Sequence, residues 1–266
     1  MLTKFTALAM GVLLSVSAMA ADMATADMAT LTRQAQSGDA AAQFDLAYEY
    51  YQQGNHAKAF EWFTKAAHQG DAQAQYNLGV MYDKGKGVRQ DYQKAIEWYT
   101  KAAHQGDAQA QNNLGVMYAQ GLGVRQDNYK ALKWYTKAAS QGHVAAQHNL
   151  GWMYYEGLGV RQDYHKAFEW FTKAANRRHA EAQYNLGVMH AKGHGVRQDY
   201  HKAVEWFTKA ADQGYAQAQF NLGAMYYNGH GVRQNKSTAK RYFGQACDNG
   251  DQSGCDNYRR LNQQGY

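Results

Sequence analysis

The sequence lacks any run of basic residues, although its formal net charge is +6 and its pI is about 9.1. Its lysines and arginines instead recur singly at a regular interval, in loops and near the ends of predicted helices. Nucleic-acid binding requires a basic patch or stripe, so this distribution indicates a solvated surface and argues against nucleic acid as a partner.

Long hydrophobic runs are also missing, and the one extended apolar stretch lies at the N-terminus. Lys4 precedes a mostly apolar segment over 5–16, and Ala-Met-Ala at 18–20 is an A-x-A cleavage sequence. The segment is short for a membrane span and is not followed by a stop-transfer pattern. We predict a signal peptide over 1–20, a flexible leader over 21–33, and a periplasmic or secreted protein without a stable membrane anchor after cleavage.

Motifs that hold metals, phosphates or cofactors are absent. The 11 histidines are scattered without a His-Glu-x-x-His pair or a cysteine cluster, and each G-x-G follows a helix rather than a strand. We predict solvated surface histidines, no metal site, no cofactor and no catalytic residue.

What the sequence has in abundance is a 36-residue repeat. Leu-Gly recurs at 78–79, 114–115, 150–151, 186–187 and 222–223, and a shorter first copy has Leu46-Ala47 in the same place. We predict one domain over 34–266. It consists of six copies and a C-terminal capping helix, at 38–69, 70–105, 106–141, 142–177, 178–213, 214–249 and 250–266.

Each full copy predicts two helices. In the second copy, Ala74, Leu78 and Tyr82 form one apolar stripe of helix A. Gly85 can end that helix, and Asp91 can cap a helix B that begins at about residue 92 and ends at about residue 104. A two-helix unit this small cannot bury both apolar stripes alone, so neighbouring copies are expected to stack into a superhelix.

Gly79 inside helix A indicates how the two helices pack. Glycine costs about 1 kcal/mol relative to alanine within a helix. Its recurrence in five copies therefore predicts close approach by another helix, with helix B of the same copy as the expected neighbour.

The pattern A-x-x-x-L-G-x-x-Y-x-x-G-x-G-V-x-x-D-x-x-K-A-x-x-W-x-x-K-A-A resembles the Sel-1-like repeat, a relative of the tetratricopeptide repeat. The resemblance covers 38–249. It implies an all-α fold, a right-handed α-solenoid of stacked antiparallel helix pairs, and a non-catalytic scaffold in the bacterial envelope or at the host interface. The expected partner is a protein or peptide, and the chain is expected to be monomeric. The sequence departs from the pattern in its short first copy and at Arg177-Arg178, where the glycine between copies is replaced.

The helix A positions that face away from the packing stripe differ between copies, and in a solenoid they line the concave groove. Aromatic residues there can anchor a partner, and a row of asparagines can hydrogen-bond an extended peptide. The structural alternatives are rings that pack on a neighbouring helix and asparagines that fix the stacking of repeats. The predicted groove residues are Phe44, Tyr48, Tyr76, Asn77, Asn113, His148, Asn149, Trp152, Tyr155, Tyr184, Asn185, Phe220, Asn221 and Tyr227.

The two cysteines lie near the C-terminus. Cys247 falls in the last helix B and Cys255 in the capping helix, where they would face each other across the turn. In an oxidising compartment this placement predicts a disulfide. The spacing of eight residues resembles that of cysteine-rich secreted members of the family.

Some of those cysteine-rich members are described as β-lactamases or penicillin binders, which gives an alternative function: β-lactam or peptidoglycan-related binding, or weak β-lactamase activity. Ser237-Thr238-Ala239-Lys240 matches the S-x-x-K motif. The S-D-N and K-T-G partner motifs are missing, and the tetrapeptide aligns with an ordinary helix start in another copy. We therefore favour the scaffold.

Overall fold

The structure, a computed structural model, describes residues 27–266. These residues form fourteen α-helices and contain no strand. None of these helices is both long and apolar enough to cross a membrane. The signal peptide predicted over 1–20 lies outside the described residues.

The first helical segment, α1, covers 27–36. Met28 and Leu31 lie about one helical turn apart and pack against the apolar cluster that contains Leu46. This differs from the flexible leader expected over 21–33, because the part of that segment that the structure describes is helical and packed.

The next twelve helices form six pairs, each with an A helix followed by a B helix. The A helices are α2 (Ala40–Gln52), α4 (Ala72–Lys84), α6 (Ala108–Gln120), α8 (Val144–Glu156), α10 (Ala180–Lys192) and α12 (Ala216–Asn228). The B helices are α3 (His56–His68), α5 (Tyr92–His104), α7 (Asn128–Ser140), α9 (Tyr164–Asn176), α11 (Tyr200–Ala211) and α13 (Lys236–Asp248). The capping helix is α14 (Gln252–Gln263). The fold is an α-solenoid of stacked helix pairs, as predicted.

The chain divides into two compact units, one that ends at Ala110 and one that begins at Gln111. Within each unit, consecutive helices pack on one another.

The helix ends follow from local hydrogen bonds that the sequence indicates. The Asp91 side chain accepts from the backbone N–H of Lys94 at 3.1 Å and so caps α5. Gly85 ends α4 in the left-handed conformation, with φ of 66°, and its N–H donates to the Met81 carbonyl. Both predictions are confirmed.

The repeated glycines lie directly under aromatic rings. A methyl carbon placed on Gly79 would be 2.6 Å from Cδ1 of Tyr99, which belongs to the B helix of the same copy. The predicted close approach is therefore confirmed, and the neighbouring group is a ring. The same relation holds for Gly115 and Tyr135, Gly151 and Phe171, Gly187 and Phe207, and Gly223 and Phe243.

Each A helix contains a buried glutamine, and in four copies it hydrogen-bonds to two other helix ends, at Gln43, Gln75, Gln183 and Gln219. Gln75 Nε2 donates to the Ala67 carbonyl of the preceding B helix at 3.1 Å, and its Oε1 accepts from Gln105 at the end of its own B helix at 2.8 Å. The apolar stripe did not reveal this role. Bonds to the preceding helix recur from Gln43 to Ala35, Gln147 to Ala139, Gln183 to Ala175 and Gln219 to Ala211.

The junction after α9 departs from this arrangement. Arg177 replaces the glutamine found at the end of α5, and the Oε1 atom of Gln147 finds no hydrogen-bond donor among the described residues. Arg178 replaces the glycine between copies. It has a φ of 63° and is the single non-glycine residue with positive φ in the described part of the chain.

The terminal helix is covalently attached. Cys247 of α13 and Cys255 of α14 form a disulfide, with their Cα atoms 4.5 Å apart. The predicted pairing is confirmed, and it closes a short loop at the end where a helical array would otherwise fray.

Candidate functional site

The predicted groove residues at the position of Tyr76 are half-buried rings whose inner face is already in contact. Tyr76 packs on Tyr99 of its own copy, with ring centroids 5.8 Å apart. The same contact, at 5.5 to 5.6 Å, joins Phe44 to Phe63, His148 to Phe171, Tyr184 to Phe207 and Phe220 to Phe243. These rings help to bind helix A to helix B, and they expose only part of their surface.

Two asparagines of the predicted groove hydrogen-bond to residues of the preceding A helix. Asn149 Nδ2 donates to Asn112 Oδ1 at 3.2 Å, and Asn185 Nδ2 lies 3.1 Å from His148 Nε2. Asn77 donates to a carbonyl one turn earlier in its own helix. The geometry at 149 and 185 therefore supports the alternative in which asparagine fixes the stacking of repeats.

The two remaining asparagines of the predicted groove are also engaged. Asn113 Oδ1 lies 3.4 Å from the Nδ2 of Asn112. Asn221 hydrogen-bonds the Tyr184 hydroxyl, and burial raises the pKa of that hydroxyl. These contacts also fit a structural role.

Trp152 is the most prominent exposed ring on the A helices of the second unit. It is 42% exposed and stacks on Tyr155, with centroids 5.7 Å apart and an interplanar angle of 18°. The Tyr155 hydroxyl lies 3.0 Å from His194 Nδ1, and Tyr164 stacks on the His194 ring at 4.4 Å. We call these four residues the Trp152 cluster. The stacking on Tyr155, which is itself held by His194, restricts the orientation of the exposed indole.

Two further predicted aromatic residues have different surroundings. Tyr48 in the first unit is 46% exposed and stacks on Phe44 at 6.4 Å. Tyr227 is half-buried, with the cations of Lys236 and Arg260 over its ring at 5.7 and 5.5 Å. Tyr48 therefore offers free ring surface, whereas charged side chains cover Tyr227.

Two histidines and a glutamate meet between α8 and α10. The His148 and His179 rings stack with centroids 4.8 Å apart, and His148 Nδ1 lies 3.7 Å from Glu181 Oε2. Each side chain offers one ligand atom, and these atoms all lie within 4.8 Å of one another. We call these three residues the His148 cluster.

The prediction of solvated surface histidines is wrong for His148, which was also predicted as a groove residue, and for His179, because both rings are half-buried. Burial is the main cause that lowers the pKa of His148 to about 4, and it also lowers the pKa of His179. Both rings are therefore neutral at pH 7. No short sequence motif contains these residues, because they come from two successive copies. Alignment of the copies offers the missing signal, since Glu181 stands where Gln73, Gln109 and Gln217 stand elsewhere.

A buried histidine, His190, lies on the other side of α10. His190 packs edge-on against Phe168 at 5.5 Å, and its Nδ1 finds no partner among the described residues. The pKa of His190 is lowered, mainly by burial and further by the positive charge of Lys202. The carboxylates of Asp199 and Glu205 partly oppose this shift.

The S-x-x-K tetrapeptide forms the first turn of α13. Ser237 is exposed, whereas Lys240 Nζ donates to Asn262 Oδ1 at 2.6 Å and to the Tyr266 carbonyl. The amine that would have to activate the serine is thus hydrogen-bonded to the C-terminal segment.

Comparison with known families gives six consecutive matches. The Sel1 repeat matches residues 40–71, 72–107, 108–143, 144–179, 180–215 and 216–251. Each match begins two residues after the boundary chosen from sequence, at the first residue of an A helix. No curated protein matches the chain significantly.

Solved structures give the same result. The chain is similar to c5321, a protective antigen of uropathogenic Escherichia coli with an SLR fold, at 40% identity and a TM-score of 0.85, over 90% of this chain and 52% of that one. It thus spans about half the length of that relative. A Sel1 repeat protein from Oxalobacter formigenes is similar at 32% identity and a TM-score of 0.75, over 79% of this chain and 86% of that one.

Proteins built from this repeat generally act as non-catalytic scaffolds for protein–protein interaction. The solenoid of helix pairs, the six matches in register and these relatives agree with one another. The chain therefore belongs to the Sel1 repeat family.

Proposed function

We propose that the chain is an exported, non-catalytic scaffold that binds a protein segment on the face of its A helices, with Trp152 as the anchor. The single observation that carries this proposal is the exposed indole held on the Trp152 cluster. Other copies have valine at this position, namely Val80, Val116 and Val188.

The energetic case depends on surface area and rigidity. Tryptophan is among the residues that dominate binding interfaces, and the loss of such an anchor typically costs 2 kcal/mol or more. Because Trp152 stacks on Tyr155, and Tyr155 is hydrogen-bonded to His194, binding would immobilise few additional rotamers.

Most other residues of the predicted groove offer a partner little free surface. The rings at the position of Tyr76 and the asparagines are largely engaged in packing between helices. They supply shape and a polar lining beside the anchor. We therefore expect most of the binding free energy to come from Trp152.

Valine at position 152 provides a test that preserves the fold. Partners would be captured on immobilised wild-type chain from the native host, identified, and measured individually by titration. A loss of 2 kcal/mol corresponds to about a 30-fold weaker affinity, which we expect for Trp152→Val.

The matched control removes an exposed ring from a B helix. Tyr129 is 58% exposed on α7, and Gln93 occupies its position in the second copy, so Tyr129→Gln should leave the affinity unchanged. Equal affinities for wild type and Trp152→Val would refute the anchor. Equal losses in both variants would indicate non-specific hydrophobic capture.

Export is proposed from the predicted signal peptide and the disulfide between Cys247 and Cys255, since disulfides persist in oxidising compartments. The Escherichia coli relative is described as a protective antigen, which supports an exposed location for this chain also. The mature protein should have the mass of residues 21–266 and contain no free thiol. A full-length, reduced protein recovered from the cytoplasm would contradict this proposal.

A further inference from the structure

We infer that the His148 cluster binds a divalent transition-metal ion of the zinc class. His148 lies on α8, whereas His179 and Glu181 lie at the start of α10, so the site joins two successive copies. Two imidazoles and a carboxylate are a recognised set of three protein ligands for zinc, with a fourth position left to solvent or another molecule.

The distances require only a small adjustment of side chains. Zinc lies about 2.0 to 2.2 Å from such ligands, so tetrahedral ligand atoms are roughly 3.4 Å apart. His148 Nδ1 and Glu181 Oε2 are 3.7 Å apart, and all three ligand atoms lie within 4.8 Å. The Glu181 side chain is 53% exposed and can rotate freely, so it can close the remaining gap.

The histidine hydrogen bonds leave one suitable nitrogen on each ring. His179 Nδ1 accepts from the Ala182 N–H at 3.3 Å, so coordination would use its Nε2. His148 directs Nδ1 towards Glu181, and its Nε2 lies beside the Asn185 amide. With a metal on Nδ1, Asn185 would present its oxygen to the Nε2–H, which is the usual outer partner of a ligating histidine.

The three proposed ligands differ from the residues found at their positions in most other copies. At the position of His179, the aspartates Asp71 and Asp107 cap their helices with bonds of 2.7 Å, shorter than the 3.3 Å bond of the histidine. The glutamate replaces the glutamine of other copies. His143 caps α8 in the same way, with its Nδ1 accepting from the Ala146 N–H at 3.2 Å, but Ala145 stands there at the position of Glu181. The carboxylate beside the capping histidine therefore distinguishes the His148 cluster from the preceding copy.

Two substitutions that restore residues of other copies test the site. His148→Tyr introduces the residue of the second and fifth copies, and Glu181→Gln removes only the carboxylate charge. Tag-free, chelator-treated full chain would be titrated with zinc chloride by calorimetry, and its thermal unfolding measured with and without zinc. The control is His165→Gln, which removes an exposed histidine from α9.

We expect one zinc ion per chain in the wild type and in His165→Gln. Affinity should fall by more than about tenfold in His148→Tyr and in Glu181→Gln, and the rise in unfolding temperature caused by zinc should disappear with it. No binding by the wild type, or equal binding by all four proteins, would overturn the inference. Because both test variants carry residues from other copies, their folding in the absence of zinc separates loss of the site from loss of the fold.

Discussion

The contact between Gly151 and Phe171 allows a quantitative test of how A and B helices pack. A methyl group at Gly151 would lie 2.7 and 2.8 Å from two carbons of the Phe171 ring. Carbon atoms are at optimal separation at about 3.5 to 4.0 Å, so one group would have to move by roughly 1 Å. Phe171 is fully buried, and overpacking of such a core typically costs about 1 to 3 kcal/mol.

Gly244 provides the matched control for this substitution. Alanine gains about 1 kcal/mol over glycine in either helix, so this gain cancels when the two variants are compared. A methyl group at Gly244 would lie 3.1 Å from the Tyr258 ring, which is 38% exposed and free to shift. We therefore expect Gly151→Ala to be less stable than Gly244→Ala by about 1 to 3 kcal/mol.

Urea unfolding followed by far-UV circular dichroism would measure both free energies of unfolding. A further variant, Gly151→Ala combined with Phe171→Leu, should show less than the sum of the two single losses, because a smaller side chain relieves the clash. If Gly151→Ala is as stable as Gly244→Ala, the ring does not restrict the approach of the helices, and the explanation of the repeated glycine fails.

The remaining predictions concern the buried amide, the disulfide and the buried histidine. Gln183→Leu should lose about 1 to 3 kcal/mol of unfolding free energy because it removes two hydrogen bonds, one to the Ala175 carbonyl and one from Gln213, and Gln147→Leu should lose less because one of its own atoms already lacks a donor. Replacing Cys247 and Cys255 by serine should cost about 2 to 3 kcal/mol, and a reductant should have no further effect on that variant. Since burial lowers the pKa of folded His190, the unfolded chain binds a proton first as the pH falls below about 6.5, and the wild type loses stability over this range. His190→Tyr should therefore gain stability relative to wild type between pH 7 and pH 5, and parallel pH profiles would refute the assignment.

The repeat and its helix boundaries could be predicted because the signals are local and occur several times. Asp91, Gly85 and Gly79 act through residues in their own copy, so spacing within 36 residues was sufficient. The disulfide between Cys247 and Cys255 also depends on one turn and was predicted correctly.

Other features could not be read from one copy, because they depend on contacts between copies. Gln75 is polar and does not belong to the apolar stripe, yet it is buried and hydrogen-bonds to the ends of the preceding B helix and of its own B helix. The bonds of Asn149 and Asn185 likewise depend on residues of the preceding A helix, so one copy alone does not reveal them. The sequence does not predict the helix over 27–36, because its apolar face is short and acquires a partner only when α2 is in place.

The departures from the repeat concentrate where the two proposed sites lie. Arg178 adopts a left-handed conformation that costs a non-glycine residue about 1 to 2 kcal/mol. Gln147 keeps a buried oxygen unpaired, and His179 makes a longer cap than aspartate. Residues that break local rules are expected at functional sites, where stability is offset by a ligand or partner. His148 and Trp152 are one helical turn apart on α8, so a metal ion and a bound protein segment would contact the same face of this helix. If stability alone had set this junction, the glycine, glutamine and aspartate of the other copies would serve it better.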